Sequence, residues 1–211
     1  MFDPHIETAK KHLSKDKVLK PLIDKYELKD YWGGHPNLFL DLIDIVTGQQ
    51  LSMKVADVIF KRLLNLYRQP SSVAIGVPGQ PTPKMILEIP IETLRSIGLS
   101  NAKASYVHNI ARAVQEGTLN LEKIVDLSNE EVFQQLTALK GLGPWSAEMF
   151  LMFSLKRPDV FSVGDLGVRS AINRLYGIDR GDNSKILALS ENWKPYRTYA
   201  CRYLWASLDN V

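Results

Sequence analysis

An all-α fold is predicted for this chain of 211 residues, and three observations predict it. Apolar residues recur at three- and four-residue spacing through most of the sequence, alternating runs long enough for strands are few, and the helical runs are punctuated by residues that start or stop helices. The first runs fall at about 4–14, 17–25, 36–48 and 50–67. The rhythm breaks in RQPSSVAIGVPGQPTPK, where Pro70, Pro78, Pro81 and Pro83 forbid a continuous helix, so a long surface loop over 69–84 is expected. Short runs at about 84–88 and 91–96 lead through LRSIGLSNAKA, with Gly98, into a longer helix at 101–115. After a brief run at 121–125, Ser128 stands three residues before Glu131 in LSNEEVFQQLTAL. That is capping-box spacing, in which each side chain satisfies a backbone amide at the other position, and it sets the start of a helix over 129–138. Pro144 suits the first turn of the next helix, at about 144–155, because its missing N–H costs nothing there. Runs at about 165–175, 182–189 and 195–208 complete the pattern, the first of them beginning at Asp165, a good N-cap.

Composition narrows the class of protein. With 45% hydrophobic residues, a chain of this length buries a substantial core as one domain or two small lobes. The single cysteine, Cys201, rules out an intrachain disulfide and clusters needing several thiolates, and fits a reducing compartment. No apolar run reaches the ~20 residues a membrane helix needs, and the start MFDPHIETAKKHL lacks the apolar core of a secretory signal. A location in the cytosol or nucleus is expected. The net charge of +3 is compatible with a polyanionic partner but decides nothing alone. His5, His12, His35 and His108 are scattered without metal-ligand spacing, which argues against metal-dependent hydrolysis. No repeat of solenoid period is present, although the glycine of LRSIGLSNAKA echoes a second glycine turn further on.

That second turn lies in TALKGLGPWSAEMFLMFSLKRPDVFSVGDLGVRSAI, from Thr137 to Ile172. Gly141 and Gly143 permit positive φ and close backbone approach, and the helix beginning at Pro144 points its free amides and positive dipole end outward. The arrangement makes an anion site. The same residues also suit a plain helix–helix turn closed by a glycine cap.

The string L-K-G-L-G-P-W-S-A, with Asp165 following 20 residues after Trp145, resembles the helix-hairpin-helix superfamily of DNA glycosylases, and within it the alkyladenine branch of the small yeast type. LFLDLIDIVTGQQLSMKVADVIFKRL is similar to the family's helix leading into a Gln-Gln-Leu turn, and ENWKPYRTYACRYLW to its closing W-x-P-x-R-x-x-A helix. Three separated matches stand in the expected order. The resemblance implies one glycosylase unit over 1–211 made of two helical lobes with a cleft between them, the hairpin at 129–155 included.

The resemblance also implies a chemistry. A target nucleotide leaves the stack and enters a pocket beside a carboxylate. The sugar gains oxocarbenium character in the transition state, so a fixed negative charge stabilises it and helps water attack. Asp165 is the implied catalytic carboxylate, with N-capping as its structural alternative. Alkylated purines already carry positive charge, so a strong general acid is not obligatory. Trp145 stands where bifunctional relatives carry a Schiff-base lysine, which implies a monofunctional enzyme in which Trp145 and Leu166 wall the base pocket; a buried core position is the alternative for Trp145. Gln50 and Leu51 are the implied wedge that fills the gap left by the flipped nucleotide, though Gln49 and Gln50 also suit a helix end. Lys54, Lys140, Gly141, Gly143 and Ser146 are the implied contacts to the DNA backbone. No cofactor is required; a sodium or potassium ion on the carbonyls of Thr137, Leu139 and Leu142 is an option the family offers. The expected partner is duplex DNA with alkylated bases or abasic sites, met by a monomer in the nucleus, or in the cytoplasm of a prokaryote.

Two positions depart from the family. Gly164 stands where many relatives carry an acid before the catalytic aspartate, and Leu166 where bacterial alkyladenine enzymes carry an aromatic. Both leave open a protein that binds damaged or abasic DNA with little excision.

Overall fold

A computed structural model describes residues 3–28, 37–67 and 80–208. Among them all regular structure is helical. In chain order the α-helices are α1 (Ile6–Leu13), α2 (Leu19–Lys25), α3 (Leu38–Gly48), α4 (Met53–Asn65), α5 (Pro83–Glu88) and α6 (Ile91–Ser96). They continue with α7 (Asn101–Gln115), α8 (Asn129–Thr137), α9 (Pro144–Met149), α10 (Leu166–Tyr176), α11 (Asn183–Glu191) and α12 (Arg197–Ala206). No helix among the described residues is long and apolar enough to cross a membrane.

The caps follow side-chain chemistry. Ser128 and Glu131 form the expected capping box on α8, and Asn37, Thr82, Ser100, Asp165 and Asp182 each accept from an amide in the first turn of the following helix. Three expected boundaries move for local reasons. The run expected from 50 begins at Met53, because Gln50 adopts φ +56 and Ser52 is extended. The run at 121–125 is only a 3₁₀ turn, Ile124–Asp126. The helix expected over 144–155 is α-helical to Met149 and widens to a π-helix at Phe150–Ser154. Of the loop expected over 69–84, residues 69–79 lie outside the described residues, and Pro83 already belongs to α5.

The chain divides into two compact units, Gly34–Phe150 and the pair of segments Met1–Gly33 with Leu151–Val211. In the continuous unit α7 is the hub, packing against α3, α5 and α6, while α3 also packs on α4 and α9, and α8 on α9. Leu42, Ile43, Val46, Leu63, Val107 and Ile110 fill its core with almost no exposure. Two of its turns are alike: Gly98, between α6 and α7, and Gly141, between α8 and α9, both have φ +116.

In the discontinuous unit α12 is central, packing against α1, α2 and α10. Its core carries large aromatics, Trp193, Tyr199 and Tyr203 among the largest fully buried side chains. Half-buried Asp16 is fully engaged there: its Oδ2 accepts from Tyr176 Oη at 2.8 Å and Trp193 Nε1 at 2.9 Å, and its Oδ1 from the amides of Val18 and Leu19. Burial pushes the Asp16 carboxyl up, but the hydrogen bonds from Trp193, Tyr176 and the two amides outweigh it and hold it below the ordinary range. The hydroxyl of Tyr199 likewise donates to Asp3 at 2.8 Å, with Arg202 3.8 Å from that carboxylate.

Candidate functional site

The hairpin is built around two unlike glycines. Gly141 needs to be glycine twice over: its φ is +116, and a Cβ there would lie 2.3 Å from Cγ of Tyr106 on α7. Gly143 is extended, with φ −93 and ψ −179, and a Cβ there would meet nothing within 4 Å. Between them Leu142 is buried and donates its amide to Leu139 O at 3.0 Å. The first bond of α9 runs from Ala147 N–H to Gly143 O at 3.1 Å, so the amides of Trp145 and Ser146 precede the intrahelical ladder. They lie at the positive end of the helix dipole, and Lys140, earlier in the same turn, is exposed. Trp145 itself is half-buried and Ser146 is buried.

The Gln-Gln-Leu turn between α3 and α4 belongs to the same unit. Gln50, with its left-handed φ of +56, and Leu51, 39% exposed, stand at its tip, and Lys54 is exposed in the first turn of α4. Asp57 on the same helix pairs with Lys61 at 2.6 Å on the surface. Gln49, which reads in the sequence as a polar helix end, instead joins this turn to the hairpin: its Nε2 donates to Gly141 O and to Ser146 Oγ, each at 2.9 Å. Its own carbonyl accepts from Lys103 Nζ at 2.6 Å, and Lys103 also donates to Thr47 O at 2.8 Å. Burial pulls the Lys103 ammonium below the ordinary lysine range. The residue type of Gln49 offered one signal: an amide side chain at a helix end carries two N–H donors that can reach another backbone.

Asp165 caps α10, its Oδ1 accepting from Val168 N at 2.8 Å and from Trp205 Nε1 at 2.8 Å. The closing helix α12 therefore delivers an indole N–H to the carboxylate. Gly167 makes room for it, since a Cβ there would stand 2.9 Å from Cδ1 of Trp205 and 3.1 Å from Oδ1 of Asp165. Phe153, in the π-helical turn, leans on the other side of the indole with ring centroids 5.9 Å apart. Leu166 is 76% exposed. The loop that leads into Asp165 is pinned to the start of α12: Arg197 pairs with Asp159 at 2.7 Å, and Thr198 Oγ1 donates to Arg157 O at 2.7 Å while accepting from Val160 N at 3.0 Å. Trp205 and Phe153 carry no motif that singles them out in the sequence; spacing does not show that α12 ends beside α10.

Oxygen donors at the hairpin suit a hard cation better than a soft metal. The Thr137 hydroxyl donates to Phe133 O at 2.7 Å. The Leu139 carbonyl keeps one lone pair beyond its bond from Leu142. Among the described residues no group of three or more His, Cys, Asp or Glu side chains is placed to hold a metal ion.

Comparison with known proteins places this geometry in a family. The model described as HhH-GPD superfamily base excision DNA repair protein matches residues 43–196, which span the Gln-Gln-Leu turn, the hairpin and Asp165 and end at Tyr196, just before α12. The chain belongs to that superfamily. It is 36% identical over 168 residues to DNA-3-methyladenine glycosylase 1 of Schizosaccharomyces pombe, covering 78% of this chain and 70% of the relative. It is 32% identical over 169 residues to the putative DNA-3-methyladenine glycosylase YfjP of Bacillus subtilis, covering 80% of this chain but only 58% of that protein. Among solved structures, the Schizosaccharomyces pombe 3-methyladenine DNA glycosylase Mag1 in complex with abasic DNA superposes with a TM-score of 0.83 at 33% identity, covering 95% of this chain and 96% of that one.

Proposed function

We propose that this chain is a monofunctional DNA glycosylase that hydrolyses the N-glycosidic bond of alkylated purines in duplex DNA. The observation that carries the reading is the Asp165 carboxylate at the head of α10, held by the indole of Trp205, in a chain matched to the base excision repair superfamily across that residue. Membership supports DNA as the substrate class, and the similarity to 3-methyladenine glycosylases favours an alkylated purine as the lesion.

In this reading the hairpin amides around Gly143 and Ser146, with Gly141 setting the turn, grip a phosphate of the lesion strand. Lys54 and Lys140 add sequence-independent attraction to the backbone. A sodium or potassium ion on the carbonyls of Thr137, Leu139 and Leu142 would strengthen the positive potential at that phosphate. Gln50 and Leu51 fill the gap in the stack while the lesion is extruded, at a cost of a few kcal/mol. Trp145 offers its ring face to the electron-poor alkylated base, and Leu166, next to Asp165, is the other residue we assign to the base pocket. Asp165 faces the sugar as it becomes cationic and orients the attacking water; the departing purine, already positive, needs no dedicated acid. An indole at position 145 provides no amine for strand cleavage.

The test is release of 3-methyladenine and 7-methylguanine from methylated duplex, run beside a binding titration on abasic duplex. Asp165→Asn keeps the shape and some capping ability while removing the charge. The expected result is release by the wild type that falls by orders of magnitude in Asp165→Asn, with DNA affinity kept or raised. The exposure of Leu166 favours one alternative, a binder of damaged or abasic DNA with little excision. A wild type that binds abasic duplex tightly and releases no alkylated base would establish that alternative. Equal excision by both proteins would leave Asp165 as a helix cap alone.

A further inference from the structure

One face of α7 touches both elements that the proposed function assigns to DNA. Lys103 Nζ donates to the carbonyls of Thr47 at 2.8 Å and Gln49 at 2.6 Å, where α3 ends and the Gln50–Leu51 turn begins. One turn along α7, Tyr106 fills the space that Gly141 leaves by having no side chain. A further turn along, Asn109 Nδ2 donates to Lys140 O at 3.1 Å. Residues three apart on a helix share a face, so Lys103, Tyr106 and Asn109 form one stripe. Gln49 closes the circuit, with its carbonyl on Lys103 and its amide on Gly141 and Ser146 of the hairpin.

The chemistry at Lys103 suits this place. The last carbonyls of a helix lack intrahelical donors and lie at its negative end, where an ammonium group is favoured. The next residue, Gln50, holds a left-handed φ of +56 that a side chain rarely adopts unless its surroundings impose it. Two charge-assisted hydrogen bonds on the preceding carbonyls are such an imposition.

Resting on the glycosylase reading, we propose that Lys103 is a positioning residue: it locks the Gln50–Leu51 turn against the hairpin, so that the wedge and the phosphate grip act as one preorganised element. Lys103 touches neither base nor sugar. Its effect reaches the DNA through the backbone of Thr47 to Leu51.

The experiment has two arms, with Lys103→Met and Lys103→Arg as variants. In the free protein, hydrogen exchange at the amides of residues 49–52 should quicken by about tenfold in Lys103→Met and less in Lys103→Arg, which keeps the charge but not the same reach. In binding, the ratio of affinities for abasic over intact duplex should fall by about tenfold in Lys103→Met and be partly rescued in Lys103→Arg. The salt slope of intact-duplex binding should not change, because Lys103 is occupied by carbonyls and not by phosphate. In a Gln50→Ala background Lys103→Met should lower the ratio little further, since both act on the same wedge. Unchanged exchange in both variants overturns the proposal. So does full additivity with Gln50→Ala, or a salt slope lowered by about one, which would make Lys103 a phosphate contact. Should the wild type show no preference for abasic duplex, the wedge role of Gln50 and Leu51 in the glycosylase reading fails, while the exchange arm still decides whether Lys103 holds the turn; base release from methylated duplex tests the glycosylase reading itself.

Discussion

The indole N–H of Trp205 donates to Asp165 Oδ1 at 2.8 Å, across 40 residues of sequence. The same oxygen accepts from Val168 N–H at the head of α10. A carboxylate held by two donors has little freedom to rotate, and neither donor depends on DNA being present. Trp205→Phe keeps an aromatic ring against Phe153 and removes the N–H. Losing a hydrogen bond to a charged group costs about 1.5–3 kcal/mol, so single-turnover release of 7-methylguanine should fall about ten- to a hundredfold. Affinity for abasic duplex should stay within about twofold. Release at the wild-type rate would show that the indole does not position Asp165.

The two hairpin glycines should fail in different ways. Gly141→Ala puts a Cβ against the Tyr106 ring and asks alanine to hold φ +116, so it should lower the melting temperature measurably, with a loss of about 1–3 kcal/mol. Gly143→Val meets open space and should melt close to the wild type while weakening duplex binding across a salt series. A Gly143→Val protein that binds duplex like the wild type would remove the hairpin as the anchor.

Strand cleavage should be absent. Borohydride added during reaction with methylated duplex should trap no covalent protein–DNA adduct, because the indole of Trp145 cannot form a Schiff base. A robust adduct, resolved by denaturing electrophoresis, would mean that another amine attacks the sugar.

Asp16 should make the fold sensitive to acid. Its carboxyl is held below the ordinary carboxylate range when folded, so the stability it contributes is fully present above that range and is lost as pH falls through the lower folded value. Thermal melts of the wild type and Asp16→Asn should therefore differ most near neutral pH and converge as the solution is acidified below the ordinary carboxylate range. A gap that is constant with pH would mean that the hydrogen bonds from Trp193 and Tyr176 do not favour the charged form.

Helices were legible in the sequence because their signals are local: Ser128 with Glu131, Pro144 after Gly143, and Asp165 before an apolar run each act within one turn. Asp165 and the hairpin glycines were legible for the same reason, as short motifs at a set spacing. The partners of those residues were not. Trp205 lies 40 residues from Asp165, Lys103 54 residues from Gln49, and Gln49 92 residues from Gly141. Periodicity says which face of a helix is apolar but not which neighbour it meets, so a lysine that ties down carbonyls reads like a lysine in solvent. Gln50 shows the reverse error: its left-handed backbone ends the continuity from 50 to 67 that the apolar spacing suggests.

The unit that carries Asp165 is assembled from both ends of the chain, with Asp16 bonded to Trp193 across 177 residues and Asp3 to Tyr199 across 196. During synthesis, the continuous unit at Gly34–Phe150 has all of its sequence available while the N-terminal helices still lack α12, the helix they pack against. Non-local contacts form only after the intervening loop has closed. The acid and its indole partner thus become available to each other only after the whole continuous unit has been synthesised, and a nascent chain can present the hairpin before it can present Asp165 held by Trp205.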